Sequence, residues 1–87
     1  MVSTKLTITN PSGIHARPAG ILAKAASKCE SEVTIRVGEK TVLVKSILNL
    51  MAAAIKCGTE IELVCDGSTE EKDLEELTEL IQSGLGE

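Results

Sequence analysis

The chain holds one histidine, His15, in the segment Gly13-Ile14-His15-Ala16-Arg17-Pro18. It follows the loop residues Asn10-Pro11-Ser12-Gly13 and precedes a stretch of helical periodicity, which places the imidazole at or beside a helix N-cap. The first-turn N–H groups there have no intrahelical partner, and the helix dipole presents its positive end. A neutral ring nitrogen is a nucleophile, and a phosphoryl group carried on it would meet free N–H donors and the Arg17 guanidinium, a ready anion site. Pro18 fits the first turn, where a missing N–H costs little. No acid adjacent in sequence suggests a catalytic dyad, and no Ser-His-Asp spacing, P-loop or GxGxxG is present. A hydrolase or kinase therefore has little support. A covalent relay needs only a nucleophile and an anion site, and it fits.

Ser46 is the second residue with chemical potential. It is a good N-cap for a short apolar helix, and a phosphate on an N-cap serine is electrostatically tolerated. Behind it, Ile47, Leu48, Leu50 and Met51 cannot all be buried on one helical face. Some of Ile47, Leu48 and Met51 should be exposed as a partner surface, with Leu50 in the core. Cys29, Cys57 and Cys65 are odd in number and lack CxxC spacing, so they read as reduced cytosolic thiols. With a single histidine, no metal site is expected, and nothing calls for a cofactor.

Those residues need elements to hold them. Val2 to Thr9 alternates as a half-buried strand, with Val2, Thr4, Leu6 and Ile8 on one face. Ala16 to about Lys28 is helical, with Ala19, Leu22, Ala23 and Ala26 sharing a face. Glu32 to Val37 and Lys40 to Val44 form a hairpin about Gly38-Glu39. Ser46 then opens the helix Ile47 to about Ala53, and Glu60 to Asp66 alternates with Ile61, Leu63 and Cys65 inward. Ser68 or Thr69 caps the last helix, with Ser68 and Glu71 matching a capping box. Leu74, Leu77, Leu80 and Ile81 form its buried stripe, and Gly84 is its C′ stop. The order β-α-β-β-α-β-α, with helical stripes to cover, implies an α+β two-layer sandwich, one antiparallel sheet with helices on one face. A single domain over residues 1–87 is expected.

Composition narrows the function classes. The chain is 43% hydrophobic and 25% charged, with no Trp, Tyr or Phe, which excludes base stacking, aromatic cages and an aromatic sugar site. Residues 1–59 carry eight Lys/Arg against three acids, whereas residues 60–87 carry ten acids against Lys72 alone. No Lys/Arg cluster resembles a phosphate-tracking stripe, so no nucleic acid is expected. No apolar run approaches a membrane span and no signal peptide is apparent, so no membrane partner and a cytoplasmic location are expected.

Gly13-Ile14-His15-Ala16-Arg17-Pro18, together with Lys45-Ser46-Ile47-Leu48-Asn49-Leu50-Met51 and the same element order, resembles the HPr family over essentially the whole chain. These are the histidine-containing phosphocarriers of the bacterial phosphoenolpyruvate:sugar phosphotransferase system. The resemblance implies an open-faced sandwich, four antiparallel strands in order 1-4-2-3 under three helices. It implies a carrier without turnover of its own, in which His15 accepts a phosphoryl group at Nδ1 from phosphorylated enzyme I and passes it to enzyme IIA proteins. Arg17, Ser12 and the helix-start residues Ala16 and Pro18 would surround the phosphate. Ile47, Leu48 and Met51, with Lys24, would form the docking surface. In the Gram-positive branch a serine in the Ser46 setting is phosphorylated by HPr kinase/phosphorylase, and the product is corepressor of catabolite control protein A. A monomer is expected, since a carrier shows one surface to successive partners. The paralogue that keeps the serine but lacks the histidine is excluded by His15. A mainly regulatory or nitrogen-related phosphotransferase role is the alternative. Asn49 and Ala54 stand where Gly is common in the family, and both bear on the kinase and corepressor surface.

Overall fold

A computed structural model describes residues 1–85, so the last two residues of the expected domain lie outside the described ones. The elements run β1 (Val2–Thr7), α1 (Ala16–Ser27), β2 (Glu32–Val37), β3 (Lys40–Leu43), α2 (Ile47–Ala52), β4 (Glu60–Asp66) and α3 (Glu70–Gln82). The four strands form one antiparallel sheet in the order β1-β4-β2-β3. This is the α+β architecture expected from periodicity. Strand β1 is two residues shorter and β3 one residue shorter than the alternation suggests, because side-chain periodicity continues past the last ladder pair, and α2 stops one residue early because Ala53 is its C-cap. Ile8 remains buried beyond β1, and its N–H donates to Thr59 O at 2.9 Å.

β4 lies between β1 and β2 and is buried most completely. Ile61, Leu63 and Cys65 face the helices. On the other face, Val64 is covered by its cross-strand neighbours Ser3 and Thr34. That face carries Lys5, Arg36, Thr41 and Glu62 outward, as expected for a sheet wetted on one side. Against the inner face pack Ala19, Leu22, Ala23 and Ala26 of α1, Leu50 of α2, and Leu77 and Ile81 of α3. The alanines let α1 approach closely in a core built without aromatic rings.

The start of α3 departs from the expected capping box. Thr69 is the N-cap residue, its side chain makes no cap hydrogen bond, and the helix begins at Glu70. Ser68 Oγ instead donates to Glu30 Oε2 at 3.4 Å, and the acid that reaches back is Glu70, which accepts from Gly67 N at 3.2 Å. The reason is Asp73, a buried acid that the apolar stripe did not reveal. Its Oδ2 accepts from Thr69 Oγ1 at 2.7 Å and from Ser31 N at 3.2 Å, drawing Thr69 away from capping. Leu77 and Ile81 are buried as expected, while Leu74 and Leu80 are half-buried at the margin of the stripe.

The C-terminal end of α3 follows expectation. Gly84 takes a left-handed conformation (φ 93°) just past the Ser83 C-cap. Gly84 N donates to Ile81 O and Leu85 N to Leu80 O, a Schellman closure that seats Leu85 fully in the core.

Candidate functional site

His15 is the N-cap residue of α1, with extended backbone (φ −108°, ψ −160°), and its ring makes no cap hydrogen bond. Its carbonyl accepts from Ala19 N at 2.8 Å, the first bond of the helix. The amides of Ala16 and Arg17 open the helix with no carbonyl one turn earlier to receive them, and Pro18 has none to satisfy. No acid sits in the first turn of α1, whereas α3 has Glu70, Glu71 and Asp73 there. The positive end of α3 is thus met by its own carboxylates, while the first turn of α1 carries Arg17 and no acid. His15, Ala16 and Arg17 are all exposed, whereas Pro18 and Ala19 are buried and fix the helix to the core.

The loop that delivers His15 is held from two directions. Gly13 N donates to Asn10 O at 2.9 Å, closing a turn over residues 10–13, and Ile14 N donates to Ile55 O at 2.8 Å. Gly13 has φ 69°, and a Cβ there would lie 2.3 Å from Ile55 O. Only glycine tolerates both that conformation and that approach. Ile14 is buried, so the chain emerges from the core one residue before His15.

A shallow depression of about 250 Å³ lies beside His15, lined by Ser12, Ile14, His15, Met51, Ala54, Ile55 and Lys56. It unites Ser12, His15 and Met51, three residues singled out in the sequence. Ile55, Lys56 and Ala54 join them from the α2–β4 connection, which periodicity had shown only as a loop. The glycine at position 13 marked only a loop, and the backbone it approaches, at Ile55, is 42 positions away and has no local mark. Arg17 and Lys24 lie on exposed positions of α1, outside the wall of the depression.

Ser46 is the N-cap of α2, as expected, and its Oγ accepts from Asn49 N at 3.2 Å. The Asn49 side chain adds a second donor, Nδ2, at 2.9 Å from the same oxygen. Behind this cap, Leu50 is fully buried while Ile47, Leu48 and Met51 are 46%, 79% and 45% exposed. The helix therefore shows an apolar outer face, and Leu48 is the most open of the three.

Among the described residues, no cluster of His, Cys, Asp or Glu has the geometry of a metal site, and no helix is long and apolar enough to cross a membrane. The three cysteines are free thiols. Burial, and then the nearby Cys29, Asp73 and Glu70, push the Cys65 thiol up to about 11, which makes it a core side chain rather than a nucleophile.

A family model described as the PTS HPr component phosphorylation site matches residues 2–83. The phosphocarrier protein HPr of Mycoplasma capricolum is 52% identical over 68 residues, covering 78% of this chain and 76% of the relative. The crystal structure of HPr-C-His from Thermoanaerobacter tengcongensis superposes with a TM-score of 0.95 at 34% identity, covering 100% of this chain and 98% of that one. The Bacillus subtilis catabolite repression containing protein Crh, solved as a dimer with a swapping domain, gives a TM-score of 0.77 at 34% identity, with 97% of each chain covered.

Proposed function

This chain belongs to the HPr family of phosphocarrier proteins, and we propose that it relays a phosphoryl group through His15 from phosphorylated enzyme I to enzyme IIA proteins. The observation that carries the reading is His15 at the N-cap of α1, exposed, with Arg17 in a first turn that contains no acidic residue. In the transfer, Nδ1 of the neutral imidazole attacks phosphorus of enzyme I's phosphohistidine. The new P–N bond forms as the old one breaks, and enzyme I's imidazole departs. The same exchange, with His15 now the leaving group, hands the phosphoryl to enzyme IIA. Its oxygens keep their negative charge throughout, so the work is positioning and charge neutralisation rather than proton transfer. Arg17 supplies the counter-charge, the Ala16 and Arg17 amides supply donors, and Ser12 borders the phosphate from the preceding loop. Pro18 starts the helix without competing for it. The carrier has no turnover of its own and needs neither metal nor cofactor from this chain.

Ile47, Leu48 and Met51, flanked by Lys24, form the docking surface in this reading, supported by the apolar outer face of α2. Ser46 is the regulatory site, phosphorylated by an HPr kinase/phosphorylase, and the seryl-phosphorylated form is corepressor of catabolite control protein A. That assignment is supported by its N-cap position beside the docking surface and by the likeness to Crh. The protein acts in the cytoplasm as a monomer.

The test is intact mass after incubation with enzyme I, phosphoenolpyruvate and Mg²⁺. One added phosphoryl group removed by mild acid is expected, and none in His15→Ala. An acid-stable group, or undiminished labelling of His15→Ala, would overturn the assignment.

A further inference from the structure

Nothing in the relay chemistry calls for Asn10, yet its side chain is nearly fully buried at the base of the loop that carries His15. Its Nδ2 donates to Gly84 O, the carbonyl at the left-handed turn that ends α3. Its own carbonyl accepts from Gly13 N at 2.9 Å. One residue thus joins the end of the third helix to the turn that precedes His15, across 74 positions of sequence.

We propose that Asn10 is a positioning residue for the His15 relay, holding the 10–13 turn in register by anchoring it to the C-terminal turn of α3. The inference rests on His15 being the phosphoryl acceptor.

The chain of contacts is continuous. Leu85, fully buried, and its N–H bond to Leu80 O pin the terminal turn to the core. That turn presents Gly84 O to Asn10. Asn10 then orients its carbonyl toward Gly13 N, and Ile14 N closes onto Ile55 O at 2.8 Å. His15 is the next residue and opens α1. A side chain without an amide donor at position 10 leaves Gly84 O without this partner in a partly buried place. The 10–13 turn then depends on its single backbone bond, and small displacements of a reacting group are costly in transfer chemistry. The docking face of α2 shares none of these contacts.

The experiment compares the full-length protein with Asn10→Ala and with Val33→Ala, a core change in β2 outside this chain of contacts. Phosphorylation by enzyme I is followed by mass at several carrier concentrations, below the melting temperature of each variant. Asn10→Ala should lower the limiting rate by about tenfold while the half-saturating concentration stays within about twofold, because docking is untouched. Faster amide exchange at Gly13 and Ile14 should accompany it. Val33→Ala should lower the melting temperature without lowering the limiting rate. An unchanged limiting rate in folded Asn10→Ala, a loss confined to the half-saturating concentration, or an equal rate loss in Val33→Ala would each overturn the proposal. Failure of the relay reading itself would show separately, as absence of acid-labile label on the unaltered protein.

Discussion

Ala54 holds a backbone conformation that glycine adopts freely and alanine does not, with φ 51°. It ends the turn after α2, its N–H donating to Met51 O at 3.1 Å, and it lines the depression beside His15. A left-handed L-residue costs roughly 1–2 kcal/mol from the crowding of its Cβ, whereas glycine pays instead in unfolded-state freedom. The first term is the larger here, so Ala54→Gly should stabilise by about 0.5–1 kcal/mol, raising the melting temperature by roughly 2–8 °C. Thermal unfolding checks it, and a lower melting temperature would show that the methyl group contributes packing that outweighs its strain. A glycine at this position would thus have a local backbone advantage. At Asn49 the side chain has a chemical role that a glycine could not take. The Asn49 amide donates to the Ser46 hydroxyl that a kinase would modify, at 2.9 Å.

The helices divide by how their starts are finished. α3 is closed by its own acids, α2 by Ser46, and α1 is left to His15, whose ring makes no cap hydrogen bond. The Ser46 cap allows a clean test of regulation, because aspartate also caps helices well. Ser46→Asp should leave the melting temperature nearly unchanged while adding a charge beside exposed Ile47. The concentration of carrier that half-saturates enzyme I should then rise about tenfold, on the order of 1.4 kcal/mol of docking energy. Initial rates against carrier concentration measure it, and an unchanged value would remove Ser46 from the docking surface. Elements of this kind were legible because their signals are local. Alternation marked β1 and β4, Gly84 marked the end of α3, and the conflict among Ile47, Leu48, Leu50 and Met51 marked an exposed face. Pairings that bring distant residues together carry no such signal. Nothing local marks Asp73 as buried, because its partner Ser31 comes from 42 positions away, past the end of α1. Asn10 looked like a turn former until Gly84 arrived from α3. The capping box failed for the same reason, since the Ser68 hydroxyl turns to Glu30, 38 positions away.

On the scale of the whole molecule, relay and stability are placed at opposite ends of α1. His15 opens that helix, and Ser31 follows its other end, separated by twelve helical residues or about 18 Å. At the far end, Asp73 binds Ser31 and Thr69, and Glu70 binds the Met1 amine through both carboxylate oxygens at 2.9 and 3.0 Å. Hydrogen bonds from Ser31 and then Thr69 hold the Asp73 carboxyl below its usual range, against the opposing cost of its burial. A carboxyl whose pKa falls on folding stabilises above its unfolded value of about 3.9, and that contribution disappears as pH falls through the lower folded value. Asp73→Asn keeps the volume but removes the charge that both donors address. It should cost about 1–3 kcal/mol at pH 7. The gap between the two proteins should hold down to about pH 5 and narrow steadily below about pH 4. Thermal melts of the unphosphorylated protein from pH 7 to pH 3 measure this, and a gap constant across that range would mean the charge contributes nothing. The rate of phosphorylation at His15 should be the same in both proteins at pH 7. A fall in rate matching the fall in stability would mean that the two ends are coupled through α1 rather than independent.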